Sequence, residues 1–457
     1  MAGNQETVQL STTERPSRGA GSSVAREAAP LAGAIGAYGL LTALLSTTAS
    51  LFLAGAVHAA PLLIGLFFAV RGAMSIALNQ GVGALSDRLP DRRLLLVIAG
   101  VGGMLGGVCF AALREYTAVL VSGTVLFAIG SLSFSQLFAY ANEFAHARGR
   151  PVTMFTSLLR AVFTAAWVIG PPAGLYLLAR YGFGLLYLIV GGLWLLTAVL
   201  SWRLPRLPHQ PTAAPAPPGR GLLSRRAPSG AFPVLPARTW LLLGAVVALG
   251  VVNQMYWIDV PLYVTRTQHL NTQLVGWMAG LSAALEVPIV IVAGHLADRV
   301  GRFRLVLGSA AGAAIFFCLL PLAKSTVPLL ALQVLNAAWT AVALSIPMVM
   351  VQEESPDGAG TGSALYSSAF MSAGLLAGAV TGVTAAVTGF GGVFWVCAVL
   401  SAAAAGMLLA RGALMSGARR PSRLSPASWR CPVAGRSFPR RRRQASRARP
   451  GVETLLI

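Results

Sequence analysis

Charged side chains are scarce in this chain of 457 residues. Asp, Glu, Lys and Arg together make up only 11% of it, and no more than 14 residues are acidic. Soluble domains carry about 25% charged residues. Hydrophobic residues reach 55%, and the mean hydropathy is +0.69. This shortage of charge excludes an ordinary water-facing surface and indicates that most of the chain faces lipid.

Cysteine and histidine are sparse as well. The four cysteines stand singly, which excludes a disulfide framework or a cysteine metal site. The five histidines lie in or near predicted loops, and neither a P-loop nor a Gly-x-Ser-x-Gly motif is present. We therefore expect no enzymatic activity, no cofactor and no metal, and an ATP-driven pump is disfavoured.

The chain is rich in long apolar segments, each able to cross a hydrocarbon core of about 30 Å as a helix. We predict twelve spans, at approximately 31–55, 62–83, 94–113, 118–141, 153–178, 183–201, 239–263, 273–294, 305–323, 326–350, 363–388 and 390–410. Open sheet edges cannot be satisfied in lipid, so the predicted fold is an all-α integral membrane protein.

The Pro/Arg-rich stretch 204–238 divides the spans six and six, and its composition predicts a flexible connector. The predicted domains are therefore an N-terminal half, 31–203, and a C-terminal half, 239–411. The tails 1–30 and 412–457 are predicted to be disordered, and the first contains no cleavable signal peptide.

Basic residues predict the orientation. With the N-terminus in the cytoplasm, the cytoplasmic segments hold 29 of the 35 basic residues and the opposite side holds four. Both termini are therefore expected to be cytoplasmic, in the cell membrane. The net charge of +21 reflects the Arg-rich C-terminal tail, for which we expect anionic lipid as the partner and no nucleic acid.

Two short loops are near-copies, 211 positions apart, at the same place in each half. The first begins at Gly83 and the second at Gly294. Their predicted gating residues are Gly83, Asp87, Arg88 and Arg92 in the first, and Gly294, Asp298, Arg299, Gly301 and Arg302 in the second. Pro90 and Asp91 replace the single glycine of the second copy and add one residue to the first.

This Gly-x-x-x-Asp-Arg-x-Gly-Arg-x-Arg pattern resembles the signature of the major facilitator superfamily. The resemblance implies twelve helices in two pseudo-symmetric six-helix halves. An aspartate at a helix end can pair with an arginine or meet the N-terminus of a neighbouring helix, so such a loop can latch one conformation. Alternatively, the arginines only set the topology. We expect the second copy to tolerate substitution less than the first.

The fifth predicted span contains Gly170, Pro171, Pro172 and Gly174. Consecutive prolines free backbone carbonyls and bend a membrane helix. The pattern resembles the motif of exporters and antiporters of the superfamily; the alternative is a kink that serves packing.

A narrower resemblance, to the bacterial sugar efflux transporters, covers roughly 31–411. It is carried by six segments that begin at Ser135, Met154, Ala166, Met255, Ala284 and Leu332. It implies proton-linked export of a sugar or a sugar-like compound, and the substrate stays open. A multidrug or secondary-metabolite exporter of the same superfamily is the alternative. A monomer is expected.

Polar residues within spans are the candidate site, because ionisable groups in lipid are costly and usually functional. Glu286 and then Asp259 are the predicted proton-coupling residues, with a static buried ion pair as the alternative. The predicted substrate-binding residues are Arg71, Gln136, Arg160, Trp167, Asn253, Tyr256, Gln333 and Asn336. Gln333 and Asn336 share one helix face. Each amide could instead bond a neighbouring helix.

Overall fold

The computed structural model describes residues 18–86, 91–207, 235–355 and 359–417, and all regular structure within these ranges is helical. The α-helices are α1 (Arg18–Gly55), α2 (Pro61–Ser86), α3 (Arg92–Ala112), α4 (Tyr116–Ala147), α5 (Val152–Trp202), α6 (Ala237–Leu262), α7 (Gln273–Val300), α8 (Arg302–Leu319), α9 (Thr326–Glu354), α10 (Ala359–Thr388) and α11 (Phe390–Gly417). A π-helical turn, Tyr263–Thr267, extends α6, and a 3₁₀ turn, Leu320–Leu322, follows α8.

The described ranges contain eleven helices long and apolar enough to cross a membrane, one fewer than the twelve spans predicted. The difference lies in α5, where Gly182 has non-helical backbone angles (φ 77°, ψ −178°) and breaks the helix. A positive φ is cheap only for glycine. The chain therefore makes two apolar helical segments, 152–181 and 183–202, without an intervening loop. Counting both, the described ranges hold twelve apolar segments, in agreement with the prediction.

The helix ends follow local chemistry. Asp91 caps α3 by accepting from the Arg93 backbone N–H at 3.0 Å, and Glu115 caps α4 by accepting from the N–H groups of Thr117 and Ala118 at 2.9 and 2.7 Å. The Arg93 guanidinium beside Asp91 lowers the pKa of that carboxyl. Gly301, with φ +93°, makes the tight turn between α7 and α8.

Some boundaries differ from the expectation. α1 begins at Arg18 and so extends thirteen residues into the tail predicted to be disordered, while residues 1–17 lie outside the described ranges. At the other terminus α11 continues to Gly417. Most of the predicted connector, 208–234, and the tail from 418 also lie outside the described residues.

We call the end of the bundle that holds the start of α1 and the end of α11 the terminal face, and the opposite end the distal face. Each half has its own aromatic core. In the N-terminal half Phe52 stacks on Phe110 with ring centroids 4.8 Å apart, and in the C-terminal half Phe316 lies 4.8 Å from Phe317. These buried rings stabilise each half separately.

Two helix pairs make the most extensive contacts between the halves, and α1 also contacts α6. Helix α2 packs on α10, where a Cβ placed on Gly65 would lie 2.2 Å from the Cα of Gly382. Helix α7 packs on α5, where a Cβ on Gly276 would lie 2.9 Å from the Pro171 carbonyl oxygen. Small residues permit this close approach in a membrane. Nearer the terminal face, a Cβ on Gly81 of α2 or Gly294 of α7 would meet no atom within 4 Å. The tight contacts at these glycines therefore lie toward the distal face.

Candidate functional site

A line of aromatic rings runs between the halves. Trp167 of α5 meets Trp257 of α6 edge to face, with centroids 5.3 Å apart. Phe163 extends the line into the N-terminal half at 6.5 Å from Trp167, and Tyr256 extends it into the other half at 5.4 Å from Trp257. The Trp167 indole N–H is buried and has no hydrogen-bond partner within the described ranges. This places the predicted residues Trp167 and Tyr256 on one continuous path across the centre.

The predicted amides of α9 lie at the C-terminal end of this path. The Tyr256 hydroxyl donates to Gln333 Oε1 at 3.2 Å, and Asn336 Nδ2 donates to the same oxygen at 3.0 Å. Asn336 Nδ2 also reaches Ser282 Oγ of α7 at 3.1 Å, and Trp339 Nε1 donates to Asn336 Oδ1 at 3.1 Å. One network thus ties α6, α7 and α9 together.

The side chains of this network are inaccessible to solvent in the structure. Gln333 is 0% exposed, and Tyr256 and Asn336 are at most 2% exposed. Gln333 and Asn336 do share a face, as expected, but they bond each other and neighbouring helices, which is the alternative given for each amide above. A substrate would have to exchange hydrogen bonds with this network to reach it. Asn253, also predicted, lies one helical turn before Tyr256 on α6 and is buried.

The two predicted coupling carboxylates differ in setting. Asp259 is completely buried near the distal end of α6, and neither of its carboxyl oxygens has a hydrogen-bond partner in the described part of the chain. Glu286 lies mid-way along α7 and is half-buried, again without an ion pair among the described residues. Within the described ranges, neither carboxylate therefore forms the static ion pair considered as the alternative.

The two arginines predicted within spans are not equivalent. Arg71 of α2 is partly buried. Arg160, which was expected to point into the bundle, is exposed, and its guanidinium lies 5.5 Å from the centroid of the Phe138 ring of α4. An all-apolar helix leaves the direction of one charge undetermined, and a cation near a ring gains from the π face.

Gln136 also lies apart from the other amides. It is buried on α4, where its Oε1 accepts from Arg92 Nη1 at 3.3 Å. Arg92 is the first residue of α3 and forms an ion pair with Glu143 at 2.7 Å. Gln136 therefore belongs to a charge cluster at the terminal face of the N-terminal half, and the structure does not bring it together with Gln333 and Asn336.

The predicted gating loops lie at the same face. In the second copy Gly294, Asp298 and Arg299 are exposed, and Arg302 forms an ion pair with Glu353 at the end of α9. In the first copy Asp87 and Arg88 lie outside the described residues, and Gly83 is described only as part of the α2 backbone.

The ion pairs Arg92–Glu143 and Arg302–Glu353 occupy equivalent places in the two halves. In both, the arginine starts a helix and the glutamate lies 51 residues later, at the terminal end of the following helix. Sequence reasoning predicted the arginines and missed the glutamates as their partners. The repeated spacing of 51 residues was the signal that could have identified them.

Each half also has a cation–π contact between its third helix and its last, but the helix that supplies the arginine and the helix that supplies the ring are exchanged between the halves. In the N-terminal half the Arg93 guanidinium of α3 lies 5.7 Å from the Trp202 ring at the end of α5. In the C-terminal half Phe303 of α8 supplies the ring, and Arg411 near the end of α11 supplies the cation, again 5.7 Å away. Arg411 also pairs with Glu354, which accepts from Thr239 Oγ1 at 2.9 Å. Each half thus fastens its last helix to its third.

The predicted kink faces two helices. A Cβ on Gly170 would lie 2.8 Å from Ala43 Cβ of α1, and one on Gly174 would lie 2.2 Å from Leu44 Cδ2. Pro171 and Pro172 instead face α7, where Gln273 Nε2 donates to the Pro172 carbonyl oxygen at 2.8 Å. The motif therefore packs α5 inside its own half and against the other half at once.

Comparisons with known proteins decide the family. The family model described as Major Facilitator Superfamily matches residues 31–272 and 242–445, which together cover most of the chain. The chain belongs to the Major Facilitator Superfamily. Membership of this superfamily, together with the apolar helices of the described ranges, makes it a multi-pass membrane transporter rather than an enzyme.

Curated relatives refine this placement. The chain is 34% identical to sugar efflux transporter B of Salmonella typhimurium over 79% of its own length and 90% of that protein. It is 32% identical to sugar efflux transporter A of Escherichia coli, covering 80% of this chain and 91% of the relative. At this identity and coverage the chain belongs, within the superfamily, to the sugar efflux transporter family.

Solved structures agree on the fold. The D323A mutant of the nucleoside transporter NupG superposes with a TM-score of 0.70 at 14% identity, over 84% of this chain and 99% of that one. A bacterial homologue of the iron transporter ferroportin gives a TM-score of 0.67 at 16% identity, over 85% of this chain and 98% of that one.

Within the described ranges of this chain, no group of three or more His, Cys, Asp or Glu side chains could hold a metal ion.

Proposed function

We propose that this protein exports a sugar or a sugar-like small molecule across the cytoplasmic membrane. The observation that carries the proposal is the 34% identity to a sugar efflux transporter over 79% of the chain. Sugars are bound by amides and charged groups that hydrogen-bond hydroxyls, with aromatic faces against the C–H surface of the ring. The Trp167–Trp257 contact and the Tyr256–Gln333–Asn336 network supply both kinds of group at the centre.

The transport cycle we propose is alternating access with both termini in the cytoplasm. The excess of basic residues in the segments predicted to be cytoplasmic supports this orientation. The tight packing of Gly65 and Gly276 toward the distal face, together with the open space at Gly81 and Gly294, supports a state open to the cytoplasm. The loops at Gly83 and Gly294 then close the terminal face in the opposite state.

We further propose that export is driven by protons through Glu286, with Asp259 as a second carboxylate. Burial disfavours a charged carboxylate, and renewed contact with water favours it, so alternating access loads and releases a proton. The absence of an ion pair at either residue, within the described chain, supports a titrating rather than a structural role.

The test is export from proteoliposomes under an imposed pH gradient. Labelled lactose, a glucose analogue and a cationic dye are loaded in parallel. We expect the sugars to move and to stop moving when Glu286 is replaced by Gln, while Glu115→Gln, a change at an exposed carboxylate, behaves as wild type. Unchanged pH-dependent export by Glu286→Gln would contradict the coupling role.

Multidrug or secondary-metabolite export is the second candidate, because the aromatic path between Phe163 and Tyr256 would also suit a large apolar compound. Export of the dye without export of either sugar would establish it in place of the first.

A further inference from the structure

Arg266 crosses from one half of the protein to the other at the distal face. It lies on the π-helical turn that extends α6, and its Nη2 donates to the Ala54 carbonyl oxygen of α1 at 2.9 Å. The side chain is exposed. No predicted site residue is involved, and the contact links the first helix of each half at the face where the halves meet.

The contact satisfies a carbonyl that its own half leaves open. Helix α1 ends at Gly55, and the last carbonyls of a helix lack helical partners and carry its negative dipole end. The Phe52 and Leu53 carbonyls accept from the backbone N–H groups of Ala56, Val57 and Ala59. The next carbonyl, that of Ala54, accepts from Arg266. A guanidinium from the C-terminal half thus completes the cap of a helix in the N-terminal half.

The local backbone is built to present this arginine. π-Helical turns are rare and frequently occur at functional sites. Here the wide turn follows Pro261, which cannot donate a backbone hydrogen bond, and Thr265 Oγ1 donates to the Pro261 carbonyl oxygen at 2.7 Å. The Gln268 backbone N–H donates five residues back to Tyr263 at 2.9 Å. Compared with a regular helix, the extra residue in the turn changes the direction in which Arg266 leaves the axis.

A second hydrogen bond joins the halves beside the first, from Gln273 Nε2 of α7 to the Pro172 carbonyl oxygen at 2.8 Å. A cavity of about 340 Å³ at this face is lined by both halves: Leu51, Gly55 and Phe183 from one, and Thr265, Arg266 and Thr272 from the other. Any separation of the halves at the distal face would break both hydrogen bonds and open this cavity.

We propose that Arg266 and Gln273 form a latch that holds the distal face closed and thereby sets how often it opens to the outside. The proposal rests on the alternating access proposed above. Arg266 acts as a positioning residue through the end of α1 and touches no substrate. Because a cation at an exposed helix C-terminus has a modest effect, its removal should raise the open fraction about two- to fivefold.

The test measures the distance across the distal face in the full chain. Spin labels are placed at Arg180→Cys and His269→Cys, both exposed and one in each half, in a background whose four native cysteines are replaced by alanine. Pulsed dipolar spectroscopy then gives the fraction of molecules with the longer distance. We expect Arg266→Ala and Gln273→Leu each to increase that fraction, their combination to increase it further, and Arg266→Lys to stay near wild type.

Arg114→Ala is the matched control. Arg114 donates to the Phe110, Leu113 and Ala111 carbonyl oxygens at the end of α3, so it caps a distal helix end within its own half. Its loss should leave the distance distribution unchanged. An unchanged distribution in the Arg266→Ala and Gln273→Leu double variant, or an equal change in Arg114→Ala, would overturn the latch. The measurement needs no substrate, so failure of sugar export would leave its result intact.

Discussion

The two most extensive interfaces between the halves are equivalent in position and different in chemistry. Gly65 and Gly276 are 211 positions apart, as are Pro171 and Gly382, which face them. The α2/α10 interface is glycine against glycine. The α5/α7 interface is glycine against proline, and there an interhelical hydrogen bond, from Gln273 to the Pro172 carbonyl, accompanies the close approach.

The difference shows that two helices can approach each other closely in two ways. Glycines bring α2 and α10 together by removing side chains, so the contact depends on shape alone. In α5, Pro172 has no N–H to bond the Val168 carbonyl four residues earlier, and that oxygen faces Gly280. The Pro172 carbonyl oxygen in addition accepts a hydrogen bond from Gln273 of α7. The α5/α7 interface should therefore tolerate small displacements better than the α2/α10 interface.

The largest effect is expected from Gly378→Leu at the α2/α10 interface. A Cβ there would lie 2.3 Å from the Ala69 backbone nitrogen, and backbone cannot move aside cheaply. Overpacking of this kind costs about 3 kcal/mol or more. Thermal unfolding of detergent-purified protein should show a marked loss of stability. Gly81→Leu on α2, where no atom lies within 4 Å, is the control, and an equal loss there would contradict the shape argument.

Gly280→Val at the α5/α7 interface should have an intermediate effect. Its Cβ would lie 2.7 Å from the Val168 carbonyl oxygen. We expect a loss of about 1–3 kcal/mol, because the proline-bent segment of α5 can shift. Unfolding temperatures of Gly280→Val and Gly378→Leu measured side by side test the order. A greater loss at Gly280 would reverse the comparison.

The smallest effects are expected at the terminal face, where the repeated ion pairs differ in exposure. The Arg92 and Glu143 side chains are 14% and 41% exposed, against 38% and 58% for Arg302 and Glu353. Exposed pairs contribute about 0–1 kcal/mol. Glu143→Gln should therefore destabilise the protein more than Glu353→Gln in urea titrations of the solubilised protein. Equal urea midpoints for the two variants would show that the more buried ion pair contributes no more stability than the exposed one.

This order also qualifies an expectation drawn from the loop sequences. The second loop keeps the full superfamily pattern and was predicted to tolerate substitution less. In the state described, the arginine that follows the first loop is the more buried and has more partners, since Arg92 bonds both Glu143 and Gln136. The prediction about the second loop stays a prediction for transport, where its latch would act in the opposite state.

Sequence reasoning predicted the helices, the duplication and the family well, because length and hydropathy decide membrane spans. It was less successful with side-chain partners. Gln136 was grouped with amides that belong to the other half, and the structure places it beside Arg92 at the terminal face. Helices that are apolar on all sides carry no periodic signal that says which face a polar residue occupies.

The break in α5 illustrates the same limit. Two spans were predicted at 153–178 and 183–201, and the structure replaces the expected loop with one glycine in a left-handed conformation. Hydropathy detects the change in direction and cannot tell whether a loop or a single residue makes it. The sequence likewise could not decide whether Asn336 bonds a substrate or a neighbouring helix, because an amide within a span can do either. In the structure it bonds Ser282 and Gln333.

The exchanged contacts of Arg93 with Trp202 and of Phe303 with Arg411 have a consequence for synthesis. In each half the cation and the ring both come from that half, so neither contact waits for the other half to be made. Helices that leave the ribosome first can therefore fasten their terminal edge while the rest of the chain is still being translated. The contact of Gly65 with Gly382, by contrast, has to wait until α10 has been translated.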